Sequence, residues 1–327
     1  MFKAIYIDQA ENRYSVALTE LENSALPEGE VEVAVEYSTL NYKDALAITG
    51  KRPVVRTFPM VPGIDLAGRV TESRDFRFEV GDRVLLTGWG VGECYWGGLA
   101  QYARGKADWF LPLPNSFSSF DAMSLGTAGL TAMLCVQTLE AQGVTSNRGD
   151  ILVTGASGGV GSIAIQLLAH RGYRVIASTG RSDNRDFLTS LGAADIIDRE
   201  ELNSTNRPLG KERWAGAVDV VGGQTLATVC SQTEYGGVVT ACGLAQGMEV
   251  PLTVAPFILR GISLIGIDSV YCPTEKRREA WSALEAEWDN TQQQGMITQI
   301  TLSEVIDQAH TLLEGNVRGR IVVDVNA

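Results

Sequence analysis

Apolar and polar residues alternate through Val31–Tyr37, as they do in a strand with one buried face. The first eight residues read as a short strand. Further β segments follow at Leu66–Val70 and Arg83–Thr87, set apart by turns at Pro62-Gly63 and Gly81-Asp82. Short strands punctuated by turns predict a partly open barrel over the first 120 or so residues. Near Asp121 the pattern changes. Apolar β-rich runs then alternate with helical stretches, the runs being Ile151–Thr154, Arg174–Thr179, Asp195–Ile197, Ala217–Val221, Val238–Cys242 and Ser263–Ile267. Six such runs with helices between them predict a doubly wound, six-stranded parallel sheet, so the fold class is α/β. Glu275–Trp288 reads as an amphipathic helix. The tail from Ile300 to Val325 carries a strand, a helix and a closing strand at Arg320–Val325, expected to return to the first domain. The expected division is 1–122 with 295–327 as one domain and 123–294 as the other. Neither internal repeats nor low-complexity segments interrupt it.

Composition adds constraints. The 327 residues carry a net charge of −12, which repels phosphate backbones and disfavours nucleic-acid or anionic-membrane partners. An anionic ligand therefore needs a local cationic pocket. The five cysteines are scattered without paired spacing, and the odd count argues against a disulfide framework and for a reducing compartment. Asp8 breaks any signal-peptide core, and no apolar run reaches the ~18 residues of a membrane span. A soluble cytoplasmic protein is the expectation.

The strongest chemical signal is Ile151-Leu152-Val153-Thr154-Gly155-Ala156-Ser157-Gly158-Gly159-Val160-Gly161, a buried strand running through a glycine turn into an apolar helix. Ala156, Gly158 and Gly161 take the three places of G-x-G-x-x-G. At this junction the pattern binds dinucleotides: Gly158 admits the pyrophosphate to the backbone, Gly161 lets the helix pack on the strand, and the helix-start amides face the anion. Expected contacts are Ser157, Gly158, Gly159, Val160 and Gly161. NAD-binding chains place an acid at the end of the next strand, to hold the ribose 2′-hydroxyl. Here that segment reads Ser178-Thr179-Gly180-Arg181, with Arg185 a helical turn later. Hydroxyls and guanidinium groups suit a 2′-phosphate, so NADPH is the predicted cofactor. Asp183 could pair with either arginine.

These features together resemble the medium-chain dehydrogenase/reductase superfamily, over the whole length of the chain. Zinc members of that superfamily carry a Cys after the second long strand and Gly-His-Glu before the next. Those places read Asn41-Tyr42-Lys43-Asp44 and Gly63-Ile64-Asp65 here, and the two histidines, His170 and His310, fall on predicted helices. No metal is expected. Within the superfamily the chain is similar to the zinc-free, quinone-oxidoreductase-like branch, and there to the acryloyl-CoA reductase (AcuI/YhdH-type) family. The stretches that carry the likeness include Ser38–Leu46, Phe58–Asp65, Leu86–Glu93, Trp96–Leu99, Gly126–Met133 and Pro256–Arg260. The resemblance implies a GroES-like β-barrel catalytic domain beside the Rossmann domain. It also implies NADPH-dependent reduction of the C=C of a short 2-enoyl-CoA, acryloyl-CoA to propanoyl-CoA. NADPH:quinone reduction is the alternative.

Tyr42 is expected beside nicotinamide and substrate, as proton donor or as positioning hydroxyl. Thr127, Gly222, Gly243, Leu244 and Asn316 are the further cofactor contacts the resemblance implies, with Arg318 a neighbour of the last. Cys242 lacks a nearby histidine to activate it and reads as a packing residue. Lys51, Arg52 and Arg56 are candidates for the phosphates of a CoA substrate. The sixth strand would be a sheet edge, and pairing it across a two-fold axis predicts a homodimer.

Overall fold

The computed structural model describes residues 1–10, 13–203, 207–288 and 295–327. Residue 294, where the expected domain junction falls, lies outside them. By compactness the chain forms two units: Met1–Thr127 with Val270–Glu285 and Gln293–Ala327, and Ala128–Ser269 with Ala286–Gln292.

The first unit opens with a long hairpin, β1 (Phe2–Ala10) paired antiparallel with β2 (Arg13–Leu21). β1 runs two residues beyond the strand expected to end at Asp8, because Gln9 and Ala10 still find partners in β2. β3 (Val31–Thr39) shows the alternating burial its sequence predicts. Next comes α1 (Tyr42–Thr49), which begins at a capping box: the Asn41 side chain meets the backbone of Asp44, and the Asp44 carboxylate meets that of Asn41. Gly50 ends α1 in the left-handed region, at φ 65°. β4 (Asp65–Ser73), β5 (Arg83–Thr87), β6 (Tyr102–Gly105) and β7 (Phe110–Pro112) follow.

α2 (Ser119–Ala141) is broken at Gly126, whose φ of 52° and ψ of −150° are not helical. By length and composition this helix could cross a membrane, which the sequence pattern did not suggest because Ser, Thr and Gly interrupt its apolar residues; most of it is buried within the fold.

The second unit is built from β8 (Ile151–Val153), α3 (Gly159–His170), β9 (Val175–Thr179), α4 (Arg185–Ser190), β10 (Ala193–Asp198), β11 (Trp214–Asp219), α5 (Gly223–Gln232), β12 (Thr233–Ala241), α6 (Ala255–Arg260) and β13 (Ser263–Gly266). The six strands pair in parallel in the order β10-β9-β8-β11-β12-β13. β8 and β11 are buried along their whole length, as central strands covered on both faces must be. Strand order reverses between them. The carboxyl ends of strands flanking such a reversal form the crevice where ligands bind in this class of sheet. The doubly wound sheet expected from the sequence is therefore present, strand for strand.

α7 (Thr274–Glu287), β14 (Ile297–Thr301), α8 (Val305–Leu313) and β15 (Arg320–Asp324) complete the chain. β15 pairs antiparallel with β3, Val322 opposite Thr39, and β14 lies parallel to β15. The first unit's main sheet thus runs β14-β15-β3-β4-β5-β7, with β6 also on β3. The buried Arg277 of α7 donates to the Thr87 carbonyl at 2.6 Å and hydroxyl at 2.9 Å, and its guanidinium stacks on Trp89.

Candidate functional site

In the second unit the turn after β8 is shaped by contacts that exclude side chains. A Cβ on Gly161 would stand 2.4 Å from the Gly155 carbonyl oxygen and 2.8 Å from the Ala156 Cα, so only glycine lets α3 start this close to the strand. Gly158 caps α3 in an extended conformation, and Ser162 N is the first amide that bonds back to it, at 2.9 Å. The earlier amides of the first turn, at Gly159, Val160 and Gly161, are those a helix leaves for an anion. Ala156 N donates to the Ser178 carbonyl at 3.3 Å, which joins this turn to the end of β9.

At that end the Ser178 side chain is buried, Thr179 and Arg181 are half-buried and Gly180 is exposed. Arg181 N donates to Thr179 Oγ1 at 3.3 Å, and Arg185 Nη2 turns to the Ile196 carbonyl at 3.4 Å. Next to the glycine turn, at the end of β11, Asp219 is fully buried. It accepts from Thr154 Oγ1 at 2.7 Å and Gly222 N at 2.8 Å. Burial pushes its carboxyl up to about 6, against the Thr154 and backbone bonds that favour the charge. Gly243, after β12, lies so close to Val220 that a Cβ would be 2.1 Å from its carbonyl oxygen. The backbone of Gly222 and Gly243 is therefore held in place, with Leu244 exposed beside it. A hydrogen bond with Cys135 and burial push the Cys242 thiol well above the ordinary range, which disfavours the thiolate.

In the first unit Tyr42 is the first residue of α1 and 42% exposed. Asn41, its cap, belongs to a buried polar cluster. Asp65 Oδ2 accepts from Thr39 Oγ1 at 2.6 Å and Asn41 Nδ2 at 2.9 Å, and Asp65 Oδ1 accepts from both the amide and the hydroxyl of Thr127. Arg320 Nη1 donates to Asn41 Oδ1 at 2.9 Å, and its Nε donates to the Ser124 carbonyl at 3.2 Å. Its Nη2 lies 3.9 Å from Asp65 Oδ2. Asp44, also buried, accepts from the amides of Gly63 and Ile64, each at 3.1 Å. Burial pushes Asp44 up to about 6, and burial likewise lowers Arg320, opposed by the two carboxylates. Asn41, Ile64 and Asp65 are the positions compared above with zinc ligands; here an amide, an alkyl chain and a carboxylate tied up in hydrogen bonds stand there. Among the described residues no three His, Cys, Asp or Glu side chains gather as a metal requires. Asn316 is exposed and bonds to Glu314 at 3.2 Å, and Lys51, Arg52 and Arg56 are all exposed.

The family model of the alcohol dehydrogenase GroES-like domain matches residues 27–115, and that of the zinc-binding dehydrogenase matches 159–286. The acrylyl-CoA reductase AcuI of Ruegeria pomeroyi is 51% identical over 330 aligned positions, covering 100% of each chain. The probable acrylyl-CoA reductase AcuI of Escherichia coli K12 is 49% identical and covers 99% of this chain and 100% of its own. The chain belongs to the acrylyl-CoA reductase AcuI family. Among solved structures, E. coli YhdH with bound NADPH matches this AcuI-family chain with a TM-score of 0.97 at 50% identity, over 99% of this chain and 100% of that one.

Sequence reasoning about this AcuI-family chain singled out the glycine turn and Arg181, and the structure brings both to neighbouring strand ends of one sheet. It did not foresee the partners of Asp65, and it passed over Arg320 and Asp219. The signal available for the first was an acid in an otherwise apolar stretch, Val61–Leu66; a carboxylate there has to be paired if it is buried. Arg320, at the start of a buried strand, offered the matching sign.

Proposed function

We propose that this chain reduces the C=C bond of a short 2-enoyl-CoA with NADPH, acryloyl-CoA to propanoyl-CoA, without a metal. The observation that carries this reading is in the second unit: a glycine turn that backbone contacts keep free of side chains, with Arg181 rather than a carboxylate at the end of β9. The residues fit the dinucleotide. Ser157, Gly158, Gly159, Val160 and Gly161 would hold the pyrophosphate, Ser178, Thr179, Gly180, Arg181 and Arg185 the 2′-phosphate end, and Gly222, Gly243 and Leu244 the groove. Tyr42, Thr127 and Asn316 would serve the nicotinamide. Full-length likeness to acrylyl-CoA reductases supports the substrate.

Bound NADPH supplies the hydride for the β carbon. The protein must then orient the thioester, support negative charge on its oxygen, and allow a proton to reach the α carbon. Tyr42, a half-exposed tyrosine on the first turn of a capped helix, is assigned to that proton or to positioning the thioester. In this reading 1–122 with 295–327 is the catalytic domain and 123–294 the nucleotide-binding domain. The protein works as a homodimer in the cytoplasm, a reducing compartment that suits its five free cysteines.

Oxidation of NADPH and NADH is followed with acryloyl-CoA and with quinones, for the wild type and Tyr42→Phe. Expected are a high kcat/KM for acryloyl-CoA with NADPH and little turnover of quinones. Tyr42→Phe should lower kcat by ~10²-fold if the hydroxyl delivers the proton. Preference for quinones overturns the substrate, and an unchanged kcat removes Tyr42 from the chemistry.

A further inference from the structure

Asn184 is fully buried, and burying a side-chain amide is costly unless its polar atoms are paired. With the amide turned as its neighbours require, one carbonyl oxygen accepts from Arg181 Nε at 3.0 Å, Arg181 Nη2 at 3.2 Å and Ser157 Oγ at 3.1 Å. A single atom therefore links the guanidinium after β9 to a hydroxyl of the glycine turn before α3. The backbone tightens the same corner: Asn184 N donates to the Arg181 carbonyl at 3.2 Å.

We propose that Asn184 sets the coenzyme preference of this chain by holding Arg181 in one orientation beside Ser157. The inference rests on the NADPH reading above. A long arginine loses rotamer freedom when it grips a phosphate, and one already fixed by the fold loses less on binding. The chemistry of the anchor matters as much as its position. A neutral amide oxygen orients the guanidinium without cancelling its charge, which stays available to a dianionic phosphate. A carboxylate at the same place would orient and neutralise it together. Asn184 is thus a positioning residue that acts through Arg181.

The test is binding of NADPH and NADH to the substrate-free protein, followed by nicotinamide fluorescence. The wild type should bind NADPH the more tightly. Asn184→Ala should raise the Kd for NADPH ~10-fold and leave that for NADH within about twofold, because NADH has no 2′-phosphate to lose. Should Asn184→Ala fail to fold, the nearly isosteric Asn184→Asp decides: its charge should abolish the preference for NADPH. In an Arg181→Ala background, Asn184→Ala should add nothing to the coenzyme ratio. Equal weakening toward both coenzymes, additivity with Arg181→Ala, or an Asn184→Asp protein that still prefers NADPH overturns the assignment of Asn184. A wild type that binds both coenzymes alike is a different result, because it removes the NADPH reading itself.

Discussion

Gly126 shows how much can rest on one residue without a side chain. Its φ of 52° and ψ of −150° belong to a region that L side chains rarely enter, and a Cβ would lie 2.7 Å from Asp65 Oδ2 and 2.9 Å from Arg320 Nη2. The bend turns the Thr127 amide out of the helix and toward Asp65. Gly126→Ala should therefore cost about 2–4 kcal/mol, from backbone strain and from displaced buried charges. Gly143→Ala is the control: φ is also positive, at 82°, but nothing lies within 4 Å of its Cβ, so only about 1 kcal/mol is expected. Urea unfolding of the two variants measures the difference, and equal losses would mean that the polar cluster does not constrain the bend. The changed residues at the compared zinc positions were plain in the sequence at this scale, but their hydrogen-bond partners were not. Arg320 reaches Asn41 across 279 residues, and no local pattern encodes such a pairing. Asn184 stayed hidden for a related reason: between Asp183 and Arg185 it reads as one more surface polar residue, and only the burial of its amide sets it apart.

Elements were far more legible than their side-chain networks. Central strands of a parallel sheet are apolar throughout, so β8 and β11 stood out as continuous runs, and the glycine turn fixed where α3 begins. Edges were harder. β2, with its exposed and half-buried residues, gave too weak an alternation to be read, and the helical register of α2 hid its break. The outer strand β13 bears on assembly. It is paired only with β12, its residues are half-buried or exposed, and the preceding α6 exposes Ile258 at 72% and Leu259 at 61%. An open strand edge next to exposed aliphatic side chains is a surface that a second copy can cover. Sedimentation at micromolar concentration should show a dimer, and the double substitution Ile258→Glu with Leu259→Glu should weaken it by ~100-fold or more. A monomeric wild type would refute pairing through this edge.

At the scale of the whole molecule, each unit buries a carboxylate under a turn of its own: Asp44 under Gly63 and Ile64, and Asp219 under Gly222. Both are raised from 3.8 to about 6, so between those values the folded chain holds protons that the unfolded chain has released. The stability this protonation contributes is fully present below the unfolded value and is lost as pH rises through about 6. Going from pH 7.5 to pH 5 should therefore stabilise the protein, by about 1 kcal/mol for each group. Relief of the −12 net charge acts in the same direction. Opposing groups act lower. The Arg77 side chain holds Asp75 down at about 2, and the Thr301 amide and hydroxyl lower Glu304, so their contributions fade only on acidification below the ordinary carboxylate range. Stability should thus peak well on the acid side of neutrality. Chemical denaturation at pH 5 and 7.5 gives the sign directly. Asp44→Asn keeps an oxygen to accept from Gly63 and Ile64 but cannot titrate, so it should remove roughly half of the difference. Loss of stability between pH 7.5 and 5, or an Asp44→Asn protein with the full pH response, would show that these buried acids are not what the folded state protonates.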